Sequence, residues 1–168
     1  SAYAIGKRLG NEKLNALLFE SRGKKGVPTL ARGSSYKTIL RTLREKNLIG
    51  ILIDQDTEVR GVFVDFYGRP AYTPIGAAML AMDSGAPVLP MFYLKKDDDT
   101  YELIIEKEIP LVMTGNRRQD MEENTRRFHE VIEKYIKKYP TQWVWMHNRW
   151  KTTPEMVQKR EKTKRKTP

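Results

Sequence analysis

Leu48-Ile49-Gly50-Ile51-Leu52-Ile53-Asp54-Gln55-Asp56 is the stretch on which the reading of the fold turns. A continuous apolar run of this length reads as a strand buried on both faces, the kind found in parallel sheets. Upstream, Val27 to Ala31 reads as a short strand, and Ser34 or Ser35 starts a helix with Ile39, Leu40 and Leu43 on its apolar side. A turn at Glu45 to Asn47 then delivers the chain into the run. Strand, helix, strand in this order predicts a parallel crossover unit. The acids and arginines from Asp54 to Arg69 follow the run where a strand opens into a loop. Ligands in open α/β sheets collect beyond the carboxyl ends of the strands, which makes this loop the first candidate site.

Outward from that unit, Asn11 caps a helix carrying Leu14, Leu17 and Leu18, which the Gly-rich, basic stretch Ser21 to Val27 ends. Downstream, Val62, Val64 and Phe66 alternate with Phe63, Asp65 and Tyr67 as a strand or edge segment that Gly68-Arg69-Pro70 stops. Thr73 followed by Pro74 reads as a helix start, and Gly85 as that helix's left-handed end, with Ala77, Ala78 and Ala81 allowing close packing. Val88 to Leu94 and Tyr101 to Glu106 predict an antiparallel hairpin. The three aspartates at its tip lack the spaced ligands and turn glycine of an EF-hand loop and read as a solvated turn. A long helix follows, with Asp120 and Glu123 as a capping box, Phe128, Ile132, Tyr135 and Ile136 as its apolar stripe, and His129 packed beside it. Trp143 and Trp145 share a face if their segment is a strand, and so close the core. Arg149 and Lys151 are candidates to present cations to an anionic substrate group, with Trp150 as an interfacial ring. The fold expected is α/β, with a mixed, partly parallel sheet flanked by helices.

At 168 residues the chain reads as one domain over residues 1–157, followed by a basic, disordered tail over 158–168. The formal charge is +10, and half of it lies in that tail, where six cations face Glu161 alone. A tail of this kind assists docking to an anionic membrane by salt-sensitive attraction of about 1 kcal/mol per cation; it does not insert. No apolar run is long enough for a membrane span, and no secretory signal opens the sequence. There is no cysteine for disulfides or zinc-cysteine sites, and His129 and His147 are too few for a histidine-rich metal site. A nucleic-acid-binding module would account for the charge and the tryptophans, but no recognition motif is present. No specific nucleic acid is expected as a partner.

The motifs Ile53-Asp54-Gln55-Asp56, Gly61-Val62-Phe63-Val64-Asp65-Phe66-Tyr67-Gly68-Arg69-Pro70, Thr73-Pro74-Ile75-Gly76, Gly85-Ala86-Pro87-Val88 and Gln142-Trp143 through Lys151 stand in this order. Together they resemble the late acyltransferases of lipid A biosynthesis, the lauroyl and myristoyl transferases of Gram-negative bacteria, through nearly the whole chain. The resemblance implies a glycerolphosphate-acyltransferase-like fold. It also implies transfer of a fatty acyl group from acyl carrier protein to a hydroxyl of a phosphorylated glucosamine lipid, at the cytoplasmic face of the bacterial inner membrane. No cofactor and no metal are implied.

The family's base is a histidine followed after four residues by an aspartate or glutamate, the carboxylate orienting the imidazole that takes the hydroxyl proton. Here the matching positions after His129 and His147 are Lys134 and Thr152, so neither histidine carries the motif. The resemblance thus identifies the chain as the downstream, substrate-holding part of such an enzyme. The catalytic pair and the membrane-associating helix are expected upstream of Ser1, and the polypeptide alone is expected to be inactive. A non-catalytic, acyltransferase-like binding protein is the alternative. By the resemblance, Arg22 is a candidate for pairing with a phosphate, and Asp54 and Gln55 for ordering the site or bonding sugar oxygens. Arg60 and Arg69 are candidates for phosphate or carrier contacts.

Overall fold

The computed structural model describes residues 1–31, 36–57 and 59–166. These group into two compact units, one formed by residues 1–52 with 80–86, the other by 53–79 with 87–168. Together they include the stretch for which the sequence predicts one domain.

The first unit is a three-stranded parallel sheet with its crossover helices. Strands β1 (Ala2–Gly6), β2 (Thr29–Ala31) and β3 (Leu48–Gly50) lie in the order β2-β1-β3, with Ala4 opposite Thr29 and Ala2 opposite Leu48. Helix α1 (Glu12–Lys24) links β1 to β2, and α2 (Tyr36–Arg44) lies between β2 and β3. The parallel crossover is therefore present, but its central strand is β1. Sequence reasoning passed over it because Ala-Tyr-Ala-Ile-Gly is poor in the branched residues that mark strands.

The run that opened the reading is also shorter than expected. Only Leu48–Gly50 pairs, β3 is an edge strand, and Leu52 is 88% exposed. Asn11 does cap α1, its Oδ1 accepting from Leu14 N at 3.1 Å. The helix runs on through Gly23, and Leu14 and Leu17 remain exposed. The expected start of α2 at Ser34 or Ser35 lies outside the described residues. Ile39 is buried as predicted.

The second unit carries two hairpins against a long helix. Strands β4 (Gly61–Phe66) and β5 (Arg69–Pro74) pair antiparallel around Tyr67-Gly68, whose φ values of 56° and 73° suit a two-residue hairpin turn. The sequence reading ended the strand here and began a helix at Thr73-Pro74; instead Arg69–Pro74 is strand, and helix α3 (Gly76–Ser84) follows. Prolines at both ends of the segment argue against a strand in a wide sheet, but in a two-stranded ribbon each strand keeps one unpaired edge where a missing N–H costs little. Gly61 must be glycine, because a Cβ there would sit 2.4 Å from the Thr73 carbonyl oxygen. Gly85 ends α3 at φ 69°, its N–H donating to Ala81 O at 2.8 Å.

Strands β6 (Met91–Lys95) and β7 (Tyr101–Ile105) form the expected hairpin. Its tip holds Asp98 bonded to Thr100 and Asp99 paired with Lys95 at 2.6 Å. Among the described residues, sheet pairing thus occurs in three separate pieces, one parallel and two antiparallel.

Helix α4 (Arg117–Lys138) begins at Asn116, whose Oδ1 accepts from Gln119 N at 3.3 Å. Asp120, expected to cap, lies one turn inside the helix, buried. It accepts from the Thr114 N–H and hydroxyl and the Gly115 N–H, and those bonds, led by the Thr114 hydroxyl, hold its carboxyl below its usual pKa. Asn124, also buried, clamps the same loop through Val112 N (2.8 Å) and Val112 O (2.9 Å). The stripe meets the first hairpin at Phe66, Ala71 and Ile136, with Tyr67, Ile132, Trp143 and Trp150 around them. Tyr135 stacks on Phe92 at 3.6 Å and donates to the Glu106 carboxylate.

After α4 the chain makes a 3-10 turn at Pro140–Gln142 and then a series of turns, not the strand considered for the tryptophans. The last element is helix α5 (Pro154–Lys166). It runs through most of the segment that composition marks as a disordered tail. Pro154 sits at its first position, Thr153 Oγ1 accepts from Met156 N at 3.4 Å, and Lys, Arg, Gln and Glu are good helix formers.

Candidate functional site

The loop beyond Ile53 is held by side chains that arrive from α4 and from the tryptophan-rich turns. Asp54 is half-buried, and its Oδ2 accepts the Trp143 indole N–H at 3.0 Å. Its second oxygen takes no hydrogen bond from the described residues and keeps its lone pairs for another donor. Asp56, two residues on, is 1% exposed. Its carboxylate accepts the Thr152 N–H and the Thr152 hydroxyl, each at 2.9 Å, and its own N–H donates to His147 Nε2 at 2.9 Å. One short loop is thereby tied to residues more than eighty positions away.

Arg149 is the buried cation of this region, 0% exposed. Nη1 donates to the Tyr72 carbonyl at 2.8 Å, Nη2 donates to the Thr73 hydroxyl, and the guanidinium lies 5.0 Å from the Phe66 ring centre. Nε is buried without a partner among the described residues. Burial pulls the Arg149 pKa down, and Asp56 and then Asp54 oppose that. A guanidinium titrates so high that it remains charged.

His129 lies near by, on the buried face of α4. Its Nδ1 faces Thr125 O and its Nε2 faces Ile53 O, both at 3.1 Å. Burial, reinforced by the Arg149 charge, lowers its pKa to about 4, against the opposing pull of those two carbonyls and Asp54. At neutral pH the imidazole therefore has one N–H for two carbonyls. This histidine packs as the sequence predicts, and its ring also contacts the Ile53 carbonyl at the start of the Asp54 loop.

The cationic candidates separate by burial. Arg149, read as a cation offered to substrate, is turned inward instead, because a guanidinium that satisfies Tyr72 O and Thr73 Oγ1 holds the end of β5. Lys151, Arg60 and Gln55 are exposed. Arg69 is exposed and lies over the Trp150 ring at 4.8 Å, a cation–π contact that gives the ring a local partner. Arg22 belongs to the first unit, in the last turn of α1, where a Cβ on Gly6 would lie 3.4 Å from its Nη1.

Sequence reasoning missed Asp56 and Trp143 as parts of the site. The signal for Asp56 was the second acid of Asp-Gln-Asp at the end of an apolar run. Its partner Thr152 lies 96 residues away, beyond any local pattern. Among the described residues no group of three or more histidine or carboxylate side chains could hold a metal ion.

The chain is 33% identical over 130 residues to a lipid A biosynthesis lauroyltransferase of Escherichia coli (strain K12), covering 74% of the chain and 40% of that protein. It is 31% identical over 118 residues to a lipid A biosynthesis acyltransferase of Haemophilus influenzae, covering 69% of the chain and 35% of the relative. A phosphatidylinositol mannoside acyltransferase of Mycobacterium tuberculosis (strain ATCC 25618 / H37Rv) is 29% identical over 90 residues, 51% of the chain and 28% of the relative. The chain thus spans two fifths or less of the length of these curated relatives. Residues 3–152 match the bacterial lipid A biosynthesis acyltransferase family, and the chain belongs to it.

Proposed function

We propose that this chain is the acceptor-holding part of an enzyme that transfers a fatty acyl group from acyl carrier protein to a hydroxyl of a phosphorylated glucosamine lipid. The observation that carries the reading is the family match over residues 3–152. In the reaction a base removes the acceptor hydroxyl proton, the oxygen attacks the thioester carbonyl, and the carrier leaves as its thiol. A histidine followed after four residues by a carboxylate is not in this sequence. The base therefore comes from the part of the longer enzyme outside it, a reading supported by the relatives' greater length.

Within the chain, the Asp54 oxygen that takes no hydrogen bond from the described residues supports a role in accepting from an acceptor sugar hydroxyl, with Trp143 fixing the carboxylate's rotamer. The exposed Arg60, Arg69 and Lys151 of the second unit are candidates to supply cations for a phosphate, and Arg22 in the first unit is a separate candidate. Relatives are named for lipid A biosynthesis and for a phosphatidylinositol mannoside, which supports a phosphate-bearing glycolipid as the acceptor. The enzyme would meet it at the cytoplasmic face of the inner membrane. No helix among the described residues is long and apolar enough to cross a membrane.

The test supplies labelled acyl carrier protein and a phosphorylated glucosamine lipid to the complete enzyme, to its Asp54→Asn variant and to this chain alone. Transfer is expected from the complete enzyme, at least about tenfold less from the variant with an unchanged melting temperature, and none from the chain. Transfer by the chain would place the base within it. Unchanged turnover would remove Asp54 from the site, and binding without transfer by the complete enzyme would mark a non-catalytic relative.

A further inference from the structure

Beyond the 3-10 turn, Val144, Trp145 and Met146 project into solvent at 51%, 53% and 93% exposure. Three consecutive apolar residues on a tight turn are unfavourable in water, and this turn is held rigidly. Trp145 N donates to Trp143 O at 3.0 Å, His147 N to Val144 O at 3.2 Å, and the Trp145 indole N–H to Pro140 O. The Trp145 ring stands edge-on to Trp143 at 4.7 Å, and Trp143 is bonded to Asp54. The projecting tip is thus fixed relative to the Asp54 carboxylate.

Exposed lysines stand on the helix end from which this segment leaves. Pro140, which receives the Trp145 N–H, follows directly on the last turn of α4, where Lys137 and Lys138 are exposed. Lys138 Nζ lies 5.1 Å from the Tyr139 ring centre, and Lys134 stands exposed one turn earlier. Glu133 offsets Lys137 only at 3.9 Å, and the chain as a whole carries +10. An apolar tip bearing a tryptophan, in a segment that follows a helix end carrying three exposed lysines, has the composition of a membrane-interface contact. A three-residue tip is also far smaller than the roughly 800 Å² per partner of a stable protein interface, whereas a bilayer accepts a small wedge assisted by charge.

We infer that the Val144–Met146 turn inserts into the interfacial layer of an anionic bilayer, with Lys134, Lys137 and Lys138 lying against lipid phosphates. The acyl-transfer reading supplies a reason for such docking, since a lipid acceptor lies in that layer, but the binding is measurable without turnover.

The chain has no cysteine, so a single Met146→Cys substitution at a fully accessible position can carry an environment-sensitive fluorophore, with Asp97→Cys at the β6–β7 tip as the comparison. On adding phosphatidylglycerol-containing vesicles, the label at 146 should brighten several-fold and be quenched by nitroxide on the lipid acyl chains, while the label at 97 does not respond. The response should shrink in pure phosphatidylcholine or at high salt. Met146→Asp should lower vesicle binding about tenfold. Equal responses at the two positions, or unchanged binding by Met146→Asp, would overturn the inference. So would a label at 146 that becomes shielded with rising protein concentration and no lipid, which would make the tip a protein contact. A responding label in an enzyme that transfers no acyl group would refute the proposed function and leave this inference standing.

Discussion

Replacing Asp56 by alanine tests whether one buried carboxylate holds the loop after Ile53 to the turns around residue 152. The carboxylate accepts two bonds from Thr152, to the backbone N–H and to the hydroxyl, at 2.9 Å each, in a position that is 1% exposed. Hydrogen bonds to a charged partner contribute about 1.5–3 kcal/mol each, and Asp56→Ala leaves both Thr152 donors buried and unpaired. A loss of about 4 kcal/mol is expected, which for a chain of this size lowers the melting temperature by about 10 °C. Asp56→Asn can still accept the backbone N–H, and its amide can donate to a rotated Thr152 hydroxyl, so it should cost only about 1–2 kcal/mol. The Asp56 N–H bond to His147 survives in both variants, because it is made by the backbone. Urea unfolding followed by tryptophan fluorescence, and thermal melts, give the two losses. Adding Thr152→Val to Asp56→Ala should cost little more, since the hydroxyl's partner is already gone. An Asp56→Ala loss below about 1 kcal/mol, or an Asp56→Asn loss equal to it, would refute the assignment of this contact as the tie.

His129 makes stability fall with acid in a definite window. Its folded pKa of about 4 lies below the ordinary 6.5, so the unfolded chain binds the extra proton first and stability declines as pH drops from 6.5 towards 4. The slope contributed is at most about 1.4 kcal/mol per pH unit, and urea midpoints of His129→Gln should show a shallower decline than the parent over that range. Gly61→Ala should destabilise by at least about 2–3 kcal/mol, since its Cβ would meet backbone as well as the Tyr72 ring; a melting temperature within a degree of the parent's would contradict the close approach. Deleting residues 159–168 should weaken binding to anionic vesicles more at low salt than at high salt, and equal loss at both would reject an electrostatic contribution from the segment.

Much of the fold was legible because local chemistry agreed with tertiary outcome. Asn11 caps α1, Gly85 ends α3 at positive φ, the run from Met91 to Ile105 forms a hairpin, and the Phe128 to Ile136 stripe faces the core. The errors fall where local and tertiary signals compete. Thr73-Pro74 carries a helix-start pattern but is held in a strand by pairing with Gly61 and Val62. Asp120 has a capping residue's chemistry, yet Asn116 starts the helix four residues earlier and Asp120 serves the Thr114 loop. Ala2–Gly6 has weak strand propensity and becomes the central strand because both neighbours pair with it.

By itself, then, the sequence determined the α/β class, the family through its ordered motifs, and Asp54 as a polar group at the end of an apolar run. Which charges face inward was decided only by tertiary structure. Arg149 and Lys151 are two residues apart and equally cationic, yet one is buried against Tyr72 and Thr73 and the other stands in solvent. A buried charge or hydroxyl is tolerable only beside its partner. In this chain Asp54, Asp56, His129 and Arg149 each have a hydrogen-bond partner 76 to 96 residues away, so their roles follow from folding rather than from spacing.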